Sequence, residues 1–133
     1  MQPELILPGG DLERVKIAFL YGADAVYVGL NKYSLRKAEV RFDLKEIKEA
    51  IDYAHSIKKR LFVTFNVFAH NKDLASLTSD LKKISAFKPD AYIIADPGVV
   101  SIARRIASEI LIHLSTQANT INIESVRFWQ KQG

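Results

Sequence analysis

Residues 61–103 read LFVTFNVFAHNKDLASLTSDLKKISAFKPDAYIIADPGVVSIA, and the changing periodicity of this stretch decides the fold class. Leu61-Phe62-Val63-Thr64-Phe65 is a short run of apolar, aromatic and β-branched residues, which predicts a buried strand. Leu74, Leu77, Leu81 and Ile84 then recur at helical spacing and give a single apolar face. Ala91-Tyr92-Ile93-Ile94-Ala95 returns to strand character. Asp96-Pro97 follows it with a helix cap and a proline at the first helical position, and Val99, Val100, Ala103 and Ile106 form the next helical face. Strands that alternate with helices re-enter one sheet in the same direction through right-handed crossovers, so the stretch predicts a parallel α/β protein.

The alternation extends both ways. Upstream lie strand candidates Leu5-Ile6-Leu7 and Ala25-Val26-Tyr27-Val28, with helical faces at Leu12, Val15, Ala18 and Phe19 and at Leu44, Ile47, Ile51 and Ala54. Asp43 and Glu46 have capping-box spacing, and Lys58-Lys59-Arg60 suits the negative end of the second helix. Downstream come Ile110-Leu111-Ile112-His113-Leu114 and a helix through Ile123, Val126, Phe128 and Trp129. Residues 22–27 (GADAVY) and 88–93 (KPDAYI) both set Asp-Ala at the start of a strand, a weak internal repeat. Five units in 133 residues leave two architectures. One is the first five β/α units of a TIM-like (β/α) barrel, incomplete because eight units take ~250 residues. The other is an open five-stranded flavodoxin-like parallel sheet. A response regulator is disfavoured, since Pro8-Gly9-Gly10 and Asn66 stand where its carboxylates belong.

Hydrophobic residues make up 48% and charged residues 26%, with a net charge of +4, the balance of one ordinary soluble domain. No linker divides residues 1–133. With no cysteine, these residues exclude a disulfide framework, a thiol nucleophile and a cysteine-held cluster within themselves. Nothing resembles a secretory leader or the ~18 apolar residues of a membrane span, so the expectation is a cytoplasmic protein with no membrane partner.

Parallel sheets place ligands beyond the C-terminal ends of their strands, so polar residues there are the candidates. In HLSTQAN (113–119), period-2 alternation sets His113, Ser115 and Gln117 on the face of Leu111. A strand that turns polar as it leaves the sheet points to a site, with Asn119 adding an amide; the alternative is a satisfied histidine and a helix cap from Asn119 or Asn122. Asn66, His70 and Asn71 follow the third strand and offer amide and imidazole groups. Asp96 either faces the site or caps the next helix, and Gly9-Gly10 reads as a turn because Asp11 competes for the amides a phosphate would need. His55 reads as surface or packing. No pair of histidines has metal-ligand spacing, so no metal is expected. Lys32, Arg36, Lys37 and Arg41 oppose Glu39 alone between the second strand and second helix, a loop suited to a carboxylate, phosphate or RNA backbone.

Together, LPGGDLERVKIAFLYGADAVYVG, SLRKAEVRF, DYAHSIKKRLFVTFN, ADPGVV, HLSTQANTIN and VRFWQKQG resemble the N-terminal part of the U-32 peptidase family, the collagenase-like proteases. The resemblance covers essentially the whole chain, with Leu30 and Arg41 standing where the family often has Gly and Asn. It implies that residues 1–133 are the N-terminal portion of a barrel domain in a longer protein. It implies peptide-bond hydrolysis as the activity, with hydroxylation of tRNA or rRNA bases as the alternative; the basic loop leaves a non-catalytic RNA-binding module as a further one. An iron-sulfur cluster is implied only for the full-length protein, with none in this part. His113 is then the nominated acid or base, with Asn66, His70, Asp96, Ser115, Gln117, Asn119 and Arg36 binding a peptide or RNA substrate. The part alone is expected to be inactive. Its partners are expected to be the missing C-terminal part or a second copy, a homodimer formed through the exposed sheet edges.

Overall fold

The computed structural model describes residues 3–33 and 42–133. In chain order the elements are β1 (Ile6–Pro8), α1 (Leu12–Leu20), β2 (Ala25–Gly29), a 3₁₀ turn (Asn31–Tyr33), α2 (Leu44–Ser56), β3 (Arg60–Phe65), α3 (Leu74–Ser85), β4 (Ala91–Ile94), α4 (Pro97–Ile106), β5 (Leu111–Leu114), a second 3₁₀ turn (Thr116–Ala118) and α5 (Ile123–Lys131). The strands agree with the periodicity to within a residue at either end; β1 is shifted by one residue and ends on Pro8.

All strands pair in parallel, in the order β1-β2-β3-β4-β5. This order removes the flavodoxin-like alternative, a parallel sheet in which β1 rather than β2 pairs with β3. With sequential order and one crossover hand, every helix falls on the same side of the sheet, which is the wall of a barrel. The fold is therefore the first five β/α units of a TIM-like (β/α) barrel.

The two faces of the wall differ as that geometry requires. Val26, Val28, Leu61, Val63, Phe65, Tyr92 and Ile94 point toward the helices and join Val15, Ile47, Ile51, Leu77, Leu81, Ile84 and Val99 in one core. The alternate residues Ala25, Phe62 and Ala91, with Tyr27 and Ile93, make a second, smaller cluster on the inner face. β5 is less covered than the central strands: Leu111 is 67% exposed. The apolar side of α5 is also open. Trp129 packs against the core, whereas Ile123, Val126 and Phe128 remain exposed.

The repeated Asp-Ala has a structural cause at the N-terminal ends of the strands. Asp24 accepts a hydrogen bond from the Leu5 N–H (3.0 Å) and returns its own N–H to the Leu5 carbonyl (2.8 Å). Asp90 does the same with Leu61, at 2.8 and 3.0 Å. Each aspartate thereby clips the start of one strand to the start of the neighbour that precedes it in the sheet, and the alanine after it enters the inner cluster. The bond from Leu5, with Lys59 Nζ at 3.0 Å, holds the Asp24 carboxyl below its ordinary range. His55 belongs to the same layer, its Nε2 lying 3.1 Å from Asp90 Oδ2, which is the surface role expected of it. The turns that deliver α2 to β3 and α3 to β4 place Lys58 (φ 56°) and Lys88 (φ 58°) in the left-handed region, where α1 uses Gly22 (φ 96°).

Candidate functional site

The register assembles the site in levels on the inner face. Gly29, Thr64, Ile93 and His113 pair across four strands. A Cβ on Gly29 would lie 2.4 Å from Thr64 Oγ1, so the absence of a side chain on β2 makes room for the threonine on β3. His113 is exposed, and its ring meets Phe62 edge-on, with centroids 4.9 Å apart and planes at 77°. The phenyl ring holds the imidazole on one side and leaves the other side open.

One step further along the strands stand Asn66 and Ser115. The Ser115 N–H donates to the Ile94 carbonyl (2.9 Å), which carries the β4–β5 ladder one residue past β5. Its buried hydroxyl accepts from the Gln117 N–H at 3.3 Å and caps the 3₁₀ turn. That turn ends the alternation, so Gln117 does not continue the face of His113 and Ser115. Asn119 closes it in the left-handed conformation, φ 56°. Asn122, with Ser125, forms the capping box of α5. No hydrogen bond joins His113 to Ser115.

Asn66 Oδ1 is fully buried and has no hydrogen-bond partner among the described residues. A buried carbonyl oxygen without a donor costs about 1–3 kcal/mol, and this one sits at the C-terminal end of a central strand. His70 is exposed; its N–H donates to Asp73 Oδ2 at 3.1 Å, and its Nδ1 lies 3.7 Å from the same oxygen. Asp96 is half-buried, and its Oδ1 accepts from the Val99 N–H at 2.9 Å, the capping role weighed against a ligand role in the sequence. Asp11 likewise caps α1 through the Arg14 N–H at 2.8 Å. Arg36, with Lys37 and Arg41, lies outside the described residues.

Both flanks of that basic segment are fixed. Leu30 bridges Phe42 in parallel, with both side chains buried. Tyr33, 3% exposed, donates its hydroxyl to Asp80 Oδ2 at 2.9 Å. Burial, and the carboxylate that accepts its hydrogen bond, push the Tyr33 hydroxyl up to about 12. Asp80 is itself 7% exposed, with Lys32 Nζ at 3.6 Å and Lys83 Nζ at 3.8 Å. This pair escaped the sequence reading although a signal was present: Asp80 falls within the apolar stripe of Leu77, Leu81 and Ile84, where a carboxylate needs a buried partner. Among the described residues no three His, Asp or Glu side chains converge as a metal site would require. With no cysteine either, these residues do not fit an iron-sulfur cluster.

A wall of this kind, with its polar groups gathered at the strands' C-terminal rim, defines a TIM-like barrel protein. The chain belongs to peptidase family U32, whose profile matches residues 10–133. It is 50% identical over 123 residues to tRNA hydroxylation protein P of Helicobacter pylori, covering 92% of this chain and 29% of that protein. It is 42% identical over 132 residues to tRNA hydroxylation protein P of Escherichia coli, covering 99% and 29%. The solved U32 peptidase Mk0906 superposes with a TM-score of 0.77 at 15% identity, over 99% of this chain and 56% of that one. The chain thus spans about 29% of the length of these curated relatives. Their names overturn the expectation of peptide-bond hydrolysis, which rested on the family's name, and favour the RNA-base alternative. No helix among the described residues is long and apolar enough to cross a membrane.

Proposed function

We propose that these residues form part of the substrate-binding wall of an enzyme that hydroxylates a base in tRNA. The observation that carries this reading is the 50% and 42% identity, over nearly the whole chain, to proteins named for tRNA hydroxylation. The site is compatible with it: an exposed imidazole, a buried amide oxygen without a donor and a net charge of +4 suit a polar aromatic ligand on a polyanion. Asn66 and Ser115 orient the base, while His113, on the inner side of β5, moves a proton. A redox cluster takes its cysteines from outside these residues. The open apolar side of α5 and the edge of β5 are covered by further units of the same wall. A tRNA substrate also fits a cytoplasmic setting.

The test is to express the full-length protein in a bacterium deleted for its own tRNA hydroxylation protein and to measure hydroxylated nucleosides in digested tRNA by mass spectrometry. Restored hydroxylation that is lost in His113→Ala supports the assignment. Wild-type protein that restores none refutes it, and restoration by His113→Ala removes His113 from the reaction.

A further inference from the structure

We infer that Asn66, Phe68 and His70, which leave the end of β3 on alternate positions, form a strip that reads and stacks a nucleobase. This inference rests on the RNA-base reading above and assigns to it a recognition element.

Along β3, Val63 and Phe65 point into the helix-side core, whereas Phe62 belongs to the inner cluster. The same division continues after the strand has ended. Val67 and Ala69 still pack against the helix-side core, while Phe68 is 55% exposed and the His70 side chain is 80% exposed. Residues 66–70 belong to no helix, strand or turn, and from Val67 to His70 their burial alternates with a period of two. Asn66, Phe68 and His70 therefore carry on the inner-face row of Phe62 and Thr64 beyond the rim. The row is anchored from behind by Val67 and Ala69, and at its far end by the bond from the His70 N–H to Asp73.

The chemistry of the row is that of base recognition. Phe68 is a large apolar ring at the mouth of a candidate site, where burial against the helices was available to its neighbours but not to it. Stacking on a base would remove that ring from water, and it tolerates any base because every base has a π-face. Asn66 is only half-buried, and its amide, whose Oδ1 has no donor among the described residues, turns outward to accept from an amino or imino N–H on the edge of that base. Neighbours on one face are about 6.6 Å apart at ~3.3 Å per residue, so a base lying on Phe68 brings its edge within reach of Asn66. His70 and the exposed Lys72 stand on the outer side, toward the sugar and phosphate.

The experiment measures retention of bulk bacterial tRNA by the full-length protein on filters, together with the melting temperature of each variant. Phe68→Leu keeps an apolar side chain and removes the ring, Phe68→Trp keeps a ring, and Asn66→Asp replaces the amide by a charge. Tyr21→Ala is the control, because Tyr21 is 78% exposed at the end of α1, at the opposite end of the wall. Phe68→Leu is expected to weaken retention by about 5- to 100-fold with an unchanged melting temperature. Phe68→Trp is expected to restore it, Asn66→Asp to weaken it, and Tyr21→Ala to leave it unchanged. Equal retention by Phe68→Leu and wild type overturns the inference, as does a lowered melting temperature without loss of retention, which would make Phe68 a packing residue. Wild-type protein that retains no tRNA refutes the RNA-base reading itself.

Discussion

Replacing Asp80 by Ala should cost more stability than any other polar substitution on α3, because it strands a hydroxyl that cannot reach water. Tyr33 is 3% exposed, and Asp80 Oδ2 at 2.9 Å is the acceptor that its O–H donates to. A buried donor left without a partner costs about 1–3 kcal/mol, and a hydrogen bond to a charged group contributes about 1.5–3 kcal/mol. Lys32 and Lys83 do not offset this loss, since both side chains are more than half exposed, at 70% and 56%. The expected cost of Asp80→Ala is therefore about 2–3 kcal/mol. In a double-mutant cycle with Tyr33→Phe the coupling should be about 1–2 kcal/mol. The same pair predicts a pH dependence. Tyr33 titrates at about 12 in the folded chain against an ordinary value of 10.0. The folded state holds the proton more tightly, so its contribution is complete below pH 10 and is lost as pH rises from 10 to about 12. At ~1.36 kcal/mol per unit this amounts to about 2–3 kcal/mol. Urea unfolding at pH 8, 10, 11 and 12 measures it, with Tyr33→Phe as the reference that removes the contribution of Tyr92, whose hydroxyl is also raised by burial. Parallel loss of stability in Tyr33→Phe and wild type across that range, or a coupling below about 0.5 kcal/mol, would show that the Tyr33–Asp80 bond does not carry this stability.

Three further outcomes are expected. Gly29→Ala sets a Cβ 2.4 Å from Thr64 Oγ1 and should cost about 1–3 kcal/mol by denaturant unfolding, with partial recovery on adding Thr64→Ala; no recovery would locate the clash elsewhere. Lys88→Gly, at φ 58°, should stabilise the chain by about 0.5–1 kcal/mol, read as a rise in melting temperature, because glycine occupies the left-handed region without the Cβ penalty. Asp24 has its pKa lowered from 3.8, so its contribution is present above that pH and disappears as pH falls; Asp24→Asn should flatten the acid limb of the stability curve, and an unaltered limb would show that the clip to Leu5 carries no charge dependence.

The sequence alone determined the order of elements and their faces. A short continuous apolar run in Leu61–Phe65 against a period of 3.6 through Leu74, Leu77, Leu81 and Ile84 is a local property, as are the caps Asp43 and Asp96, and neither waits on distant contacts. Barrel and open sheet share those local signals. The choice between them belongs to β3, which pairs with β2 here and would pair with β1 in the open sheet, a selection made by residues far apart in the chain. His113 and Ser115 were legible because alternation along one strand fixes their common side. The turn that withdraws Gln117 was not, since it depends on the Ser115 hydroxyl finding the Gln117 N–H. The Tyr33–Asp80 pair and the unpartnered Asn66 oxygen are facts of burial. Periodicity shows which residues turn inward, whereas only the packed structure shows which polar atoms arrive there with a partner and which without, because desolvation is set by neighbours that the chain brings together when it folds.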